Sequence, residues 1–277
     1  MYEYKIVVDS SCNLTKDYIK DPEIGFQIVP LTITIDGKDY VDDENVNPQD
    51  ILDALSKTKE KSTTSCPSPY AYSEAYKDAK NVICITISGK LSGSFNSAFL
   101  GSMEELNGTK VHVVDSKSTA GMMSLLVDKA YELFKQKLPF NEIEEKIDEY
   151  QKTLNLLFIL NKFDNLVKNG RMSKITAFVA STLSIKPLCI AEEGEIKIKD
   201  KLRTMRAAIA KLVNDIGVLC PDQTGKVCSI CYVNNKDVID ELKKMIEEKC
   251  NFKEIRLEPA RGLCTYYALE GSILVSF

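Results

Sequence analysis

Residues 83–97, ICITISGKLSGSFNS, constrain the fold of this chain more than any other stretch. The apolar, β-branched beginning is typical of a buried strand, and the Ser- and Gly-rich middle leads into a sequence with helical character. A strand, polar turn and helix in this order direct the unpaired N–H groups of the first helical turn, with the hydroxyls of Ser88, Ser92 and Ser94, to one place. Because those N–H groups carry the positive end of the helix dipole, the segment predicts an anion site beyond the strand.

The first half of the chain repeats this alternation of strand and helix. Strands separated by helices imply right-handed crossovers and a mainly parallel sheet, so the first half is predicted to be an α/β domain of three layers, α/β/α. Asp36-Gly37 predicts a turn into a return strand. The predicted strands are 5–8, 27–35, 39–41, 82–87 and 110–114, and the predicted helices are 15–20, 48–57, 69–79, 94–106 and 119–136.

The second half has a different pattern. Its strands at 188–191 and 195–199 are joined through Glu193-Gly194, which is typical of a hairpin, and a hairpin beside helical crossovers indicates a mixed sheet. We therefore expect an N-terminal domain, 1–154, and a C-terminal α/β domain, 155–277. The other predicted strands are 156–160, 227–233, 254–257 and 272–277, and the helices are 162–168, 175–183, 204–215 and 237–250.

Composition excludes several classes of protein. The 277 residues are 44% hydrophobic, which is enough for a large core, and a net charge of −4 gives no footprint for nucleic acid or an anionic membrane. No run approaches 18 apolar residues and no signal sequence precedes the first strand, so we expect a cytoplasmic protein. Nine scattered cysteines and one histidine predict neither a disulfide framework nor a metal site.

Polar side chains follow several predicted strands of the first half. Asp9-Ser10-Ser11, Ser88 to Ser94 and Asp115 to Ser118 come at strand ends, and the turn Thr63 to Ser68 is placed to close the same pocket. Any one of these junctions is an ordinary helix cap, but several at one sheet edge favour a ligand site.

Catalytic motifs are missing from the sequence. There is no G-x-S-x-G elbow, and Cys84 stands where a Walker A motif needs glycine. The one histidine, His112, lies within a predicted strand. These residues predict binding rather than catalysis, with no catalytic residue, metal or cofactor.

The order of short motifs resembles the DegV family of two-domain bacterial fatty-acid-binding proteins. The matching segments are spread in order over about the first three quarters of the chain: IVVDSSCNL (6–14), TSCPSP (64–69), ISGKLSGSFNSA (87–98), VVDSKSTAGM (113–122), FDNLVKNGRMS (163–173), SIKPL (184–188) and KLRTMRAA (201–208). The resemblance implies a long-chain fatty acid whose tail enters an apolar tunnel between the domains.

The resemblance also implies roles for particular residues. Thr64 and Ser92 match the family's carboxylate-binding hydroxyls, and the ligand-binding set includes their neighbours Ser65, Gly93 and Ser94. Gly93 lets the backbone approach the ligand without a Cβ. Arg171 matches a positive charge near the head group, and Arg203 matches a surface arginine that engages a partner. The expected tail lining is 156–160 and 175–185, with Phe178, Leu183 and Ile185.

One segment departs from the family pattern. Many members carry H-x-G-P-G before the last strand, with its histidine near the carboxylate. Here the segment 264–271 reads CTYYALEG, without histidine or proline. Tyr266 or Tyr267 is the candidate replacement, and the sequence leaves open which one.

By resemblance, the chain is the non-catalytic, lipid-presenting subunit of a fatty acid kinase, whose separate ATP-binding subunit phosphorylates the bound carboxylate. Two alternatives remain: a lipid carrier or sensor without a kinase partner, and a stand-alone enzyme acting on a lipid or a phosphorylated metabolite. Acyl chain length, unsaturation, oligomeric state and the identity of the kinase stay open.

Overall fold

A computed structural model describes residues 1–172 and 185–277. Its strands are β1 Tyr2–Asp9, β2 Ile24–Val29, β3 Thr32–Ile35, β4 Lys38–Val41, β5 Thr63–Ser65, β6 Ala79–Thr86, β7 Lys110–Asp115, β8 Leu156–Ile159, β9 Lys186–Glu192, β10 Glu195–Leu202, β11 Val227–Tyr232, β12 Glu254–Pro259 and β13 Ile273–Ser276. Its α-helices are α1 Pro48–Lys57, α2 Pro69–Tyr76, α3 Ser94–Ser102, α4 Gly121–Lys135, α5 Phe140–Thr153, α6 Asp164–Lys168, α7 Met205–Leu219, α8 Lys236–Lys249 and α9 Gly262–Ala268, with a 3₁₀ turn at Ser10–Cys12.

The first half contains the predicted parallel sheet, with strand order β2-β1-β6-β7. Side chains alternate across β1, so Ile6 and Val8 pack on the face covered by α4 and α5, whereas Val7 packs on the face covered by α2 and α3. Helices on both faces of the sheet give the expected three layers.

Side-chain caps mark the beginnings of three helices. Asn47, Ser68 and Thr204 each accept a hydrogen bond from a backbone N–H of the first turn, at the starts of α1, α2 and α7. These local interactions set where the helices begin.

Two predicted elements of the first half are wrong. The predicted strand 27–35 is interrupted at Pro30, which has no N–H to donate to a ladder. β2 joins the parallel sheet, whereas β3 turns into a separate antiparallel sheet of order β4-β3-β5. The predicted helix 15–20 is only a turn, in which Tyr18 N–H donates to the Thr15 carbonyl at 3.0 Å.

The second half contains the predicted mixed sheet, of order β10-β9-β8-β13-β11-β12. The hairpin through Glu193-Gly194 is confirmed, with both residues at positive φ. One face packs against α7 and α8 through side chains such as Leu157 and Ile159, and the other presents Leu156 and Phe158 to the first half. The predicted helix 175–183 lies outside the described residues.

The two halves meet in close contact. Gly121 at the start of α4 lies on the mixed sheet, where an added Cβ would come within 2.4 Å of Ser229 Oγ. Helix α9 returns to the first half, since Leu263 and Tyr266 pack in the core cluster of β1 and α4. The boundary at 154/155 stays a proposal. Within the described ranges, no helix combines the length and apolar character needed to cross a membrane.

Candidate functional site

A cleft of about 830 Å³, its open mouth included, lies between the two halves. Most of the described residues that line it are apolar and come from both halves, among them Leu31, Ile87, Leu156, Phe158, Leu160, Leu166, Ile196, Leu263 and Leu274.

The apolar wall follows from the pleat of the mixed sheet. Successive side chains of β8 point to opposite faces, so Leu156 and Phe158 line the cleft while Leu157 lies beneath the helices. Leu274 of the adjacent strand β13 extends the wall. A wall of this kind accommodates an apolar chain.

Arg171 reaches the cleft through the end of helix α6. Gly170, at φ +77°, donates its N–H to the Val167 carbonyl, and the Arg171 N–H donates to the Leu166 carbonyl at 2.8 Å. This pattern is a Schellman motif, in which glycine takes the left-handed position. The Asn-Gly-Arg sequence therefore terminates the helix and directs the arginine that follows.

Two further hydrogen bonds orient the guanidinium of Arg171. Its Nε donates to the Leu91 carbonyl at 3.0 Å, and its Nη1 donates to the Asn169 carbonyl at 2.6 Å. Leu91 belongs to the Ser-rich junction, residues 88–94, that follows β6. This contact therefore joins Arg171 of the second half to that junction of the first half.

Thr64 and Tyr267 meet at the polar end of the cleft. The Thr64 hydroxyl lies 2.7 Å from the Tyr267 hydroxyl, and both residues line the cleft with Ser92 and Arg171. Burial raises the pKa of the Tyr267 phenol, while the nearby charge of Arg171 and the hydrogen bond with Thr64 oppose that rise. Tyr267 is therefore a neutral hydroxyl at physiological pH.

Ser92 lies where the junction turns into α3. Its Oγ accepts from the Ser94 N–H at 3.2 Å and lies 3.0 Å from Ser94 Oγ. Ser94 is fully buried and does not line the cleft. Gly93 has an ordinary φ of −73°, and its Cβ would stand 3.1 Å from Cys66 Sγ, so contact with Cys66 accounts for glycine there.

The structure brings together Thr64, Ser92 and Arg171 from the predicted set. Ser94 is buried behind Ser92 and Gly93 is exposed, while Ser65 points to solvent because it follows Thr64 on strand β5; none of the three lines the cleft. Arg203 is exposed in the turn before α7. Ile185 is half-buried, whereas Phe178 and Leu183 fall outside the described residues.

Further residues of the cleft went unnamed in the sequence-based set. Ser118 Oγ is buried and has no hydrogen-bond partner within the described residues. Lys117 and Glu195 are the other charged residues that line the described part, and Lys117 pairs with Glu193 at 2.7 Å. The polar pattern 115–118 was the signal that could have identified Lys117 and Ser118.

Two groups of interest lie away from the described lining. His112 pairs with Asp148 of α5 at 2.9 Å. Asp9 is fully buried at the end of β1, where it accepts hydrogen bonds from the N–H groups of Ser11 and Ile87. In the parts of the chain that the structure describes, no group of three His, Cys, Asp or Glu residues is arranged for a metal.

Comparison with known proteins gives the family. The family model described as "Uncharacterised protein, DegV family" matches residues 3–277. The chain belongs to the DegV family. A DegV domain-containing protein of Streptococcus pneumoniae strain R6 is 36% identical over 280 residues, covering 99% of this chain and 98% of that protein.

Solved structures of DegV relatives share the fold. The Fatty Acid Kinase (Fak) B3 protein of S. pneumoniae, loaded with linoleic acid, is 36% identical with a TM-score of 0.93 and covers 100% of this chain and 99% of its own. A DegV protein of Ruminococcus gnavus with vaccenic acid is 31% identical, with a TM-score of 0.93 and the same coverage. Both relatives hold an unsaturated fatty acid.

Proposed function

We propose that this DegV protein binds a long-chain fatty acid in the cleft, with its carboxylate at Thr64, Ser92 and Arg171 and its acyl chain along the mixed sheet. One observation carries the proposal: Thr64 contacts Tyr267, Arg171 contacts the residue before Ser92, and all four side chains line a cleft that is mainly apolar. The linoleic and vaccenic acids of the two relatives support the same ligand class. Tyr267 joins the head-group set, Ser94 supports Ser92 from behind through its hydrogen bonds, and Ser65 and Gly93 adjoin Thr64 and Ser92 in the chain.

The head group and the tail have different tasks. Each buried methylene contributes about 0.8 kcal/mol, so about 15 methylenes supply roughly 12 kcal/mol before association costs of roughly 4–15 kcal/mol. A charge-assisted hydrogen bond adds about 1.5–3 kcal/mol. The tail therefore supplies most of the affinity, and Arg171 with the hydroxyls selects an acid and fixes its direction.

Binding of oleate and of oleyl alcohol, measured by displacement of a fluorescent fatty acid, tests the proposal. We expect oleate to bind more tightly, and Arg171→Gln to weaken oleate by about 10- to 100-fold with little change for the alcohol. Arg203→Gln is the matched control, because this arginine is exposed and outside the cleft lining. Absence of oleate binding by the unaltered protein would overturn the proposal.

We further propose that the protein presents the bound acid to an ATP-binding fatty acid kinase subunit. The similarity to the Fak B3 protein supports this step, and the exposed position of Arg203 suits a contact with such a partner. Purified protein loaded with oleate, mixed with the kinase subunit and ATP, should yield an acyl phosphate. Arg203→Gln should slow that reaction while oleate binding is unchanged.

The outcomes of this reaction separate the alternatives. Binding without phosphorylation by any fatty acid kinase subunit supports a carrier or sensor. Turnover of a lipid by the protein alone supports a stand-alone enzyme.

A further inference from the structure

Tyr266 and Tyr267 connect α9 to the segment 62–64 and to helix α6 and the turn that ends it. Consecutive residues on a helix point about 100° apart, so the two tyrosines face different partners. Tyr267 contacts Thr64 in the cleft, whereas Tyr266 is fully buried behind it. The Tyr266 hydroxyl lies 2.7 Å from Ser62 Oγ, two residues before Thr64 on the same face of the extended chain.

Asn169, next to the Schellman glycine, ties Tyr266 to the arginine turn. Its Nδ2 donates to the Tyr266 hydroxyl at 3.0 Å and to the Asn165 carbonyl at 2.9 Å, which uses both hydrogens of the amide. The Asn169 carbonyl in turn accepts from Arg171 Nη1. The side chain of Asn169 is thus held at both hydrogens while its backbone holds the guanidinium.

A second bond fixes Tyr266 to the same helix. Asn165 Nδ2 of α6 donates to the Tyr266 carbonyl at 2.6 Å. Helices α6 and α9 are therefore joined both through the backbone of Tyr266 and through its hydroxyl.

We infer that Tyr266 is a positioning residue that, through Asn169, holds the Arg171 guanidinium at the head-group end of the cleft. Tyr266 does not line the cleft, so it acts through Arg171 rather than on a ligand. The consequence for binding rests on the proposed function, but the effect on Arg171 itself does not. Without the Tyr266 hydroxyl, one Asn169 N–H loses its partner and the turn that carries Arg171 is less ordered.

The variant Tyr266→Phe tests the inference without any ligand. The NMR signal of the Arg171 Nε–H is assigned as the one that is absent from Arg171→Lys. Its hydrogen bond to the Leu91 carbonyl protects this hydrogen from solvent exchange. We expect its exchange rate, measured by NMR, to rise at least fivefold in Tyr266→Phe. Tyr76→Phe is the matched control, because it removes a buried tyrosine hydroxyl that donates to the Ala98 carbonyl in the α2–α3 layer. An unchanged Arg171 exchange rate in Tyr266→Phe would overturn the inference.

Binding supplies the second readout. In Tyr266→Phe, oleate should bind about tenfold more weakly and oleyl alcohol within twofold of the unaltered protein, because only the acid uses Arg171. Equal weakening of acid and alcohol would indicate general damage to the fold and contradict the inference. If the unaltered protein binds no oleate, the proposed function fails, while the exchange measurement still decides the role of Tyr266.

A second variant, Asn169→Ala, tests the same link if Tyr266→Phe folds poorly, and the two changes together form a double-mutant cycle. Asn169→Ala removes the same link from a half-buried residue and should weaken oleate by a similar factor. If the two changes act through one link, the double variant should be no weaker than either single variant. If the double variant weakens oleate binding by the product of the two single factors, the inference is overturned.

Discussion

The two main sheets differ in what covers their faces. The parallel sheet of the first half has its own helices on both faces, α4 and α5 on one and α2 and α3 on the other. The mixed sheet packs one face against α7 and α8, and among the described residues its other face borders α6, α9, the cleft and the first half.

This difference bears on where the proposed lipid site lies. An apolar sheet face left in water loses about 25 cal/mol for every Å² exposed, so the face opposite α7 and α8 also needs a cover. In this protein that cover comes from the first half, from α9 and, in the proposed function, from an acyl chain. The parallel sheet contributes the polar junctions at its edge, and the mixed sheet contributes the apolar wall.

Adjacent leucines of β8 provide the strongest test of the comparison. Leu157→Ala beneath α7 and α8 should lower the free energy of unfolding by about 2–5 kcal/mol, because it leaves a closed cavity. Leu156→Ala should cost about 2 kcal/mol or less, since it enlarges a cleft that already exists, and it should also weaken oleate binding. Urea denaturation of both variants measures the difference. Equal losses would show that the cleft face is packed like an ordinary core.

Asp9, at the end of β1, tests the parallel sheet through the pH dependence of the free energy of unfolding. Burial raises the pKa of Asp9 from 3.8 to about 6, although hydrogen bonds from Ser11 and Ile87 oppose that rise. The folded state therefore holds the proton more tightly than the unfolded state, so Asp9 makes folding less favourable as pH rises from about 4 to 6, and its effect is constant above that. The change amounts to about 3 kcal/mol.

The control for Asp9 is Asp9→Asn, which has no carboxyl to titrate. Unfolding free energies measured between pH 4 and 7 should fall by up to about 3 kcal/mol in the unaltered protein relative to the variant. Parallel pH profiles for the two proteins would contradict the prediction.

Gly194 tests how the mixed sheet closes onto the parallel one. Gly194 has φ +81°, and its Cβ would lie 2.6 Å from Ser88 Oγ, which donates to the Gly194 carbonyl at 2.7 Å. Gly194→Ala should cost about 1–3 kcal/mol. Gly225→Ala is the control, because it has a similar φ of +77° with no neighbour within 4 Å. Equal shifts of the thermal midpoint would mean that the contact with Ser88 adds nothing.

Tyr267 gives the smallest expected effect. The hydroxyls at the polar end do not ionise near neutral pH, so oleate affinity should vary less than about twofold between pH 6.5 and 8.5. The other charged residues of the described lining are Lys117 and Glu195. Tyr267→His adds a group that gains a positive charge below about pH 6.5. This variant should bind oleate a few-fold more tightly at pH 6 than at pH 8, and a flat profile would exclude residue 267 from the head-group contact.

Predictions from the sequence succeeded where the deciding contacts are local. The predicted helices 48–57, 69–79 and 204–215 begin beside Asn47, Ser68 and Thr204, which bond to residues two or three positions away, and the hairpin at Glu193-Gly194 is set by its own turn. The strand prediction 27–35 failed because apolar residues continue through Pro30 while the chain passes from one sheet to another.

Helix α9 was absent from the sequence-based prediction because its cap is not local. Its first N–H groups, those of Gly262 and Leu263, donate to the carboxylate of Asp42, each at 3.0 Å. A cap 220 residues earlier in the chain leaves no pattern beside the helix.

The sequence by itself determined the alternation of strands and helices, the polar junctions and the family motifs, because each depends on neighbours within a few residues. Only the tertiary structure decided which tyrosine faces Thr64, which face of the mixed sheet borders the cleft, and that Arg171 stands beside the serine junction. Those answers depend on contacts between residues far apart in the chain, and the direction of a side chain on α9 follows from where Asp42, Ser62 and Asn169 hold that helix.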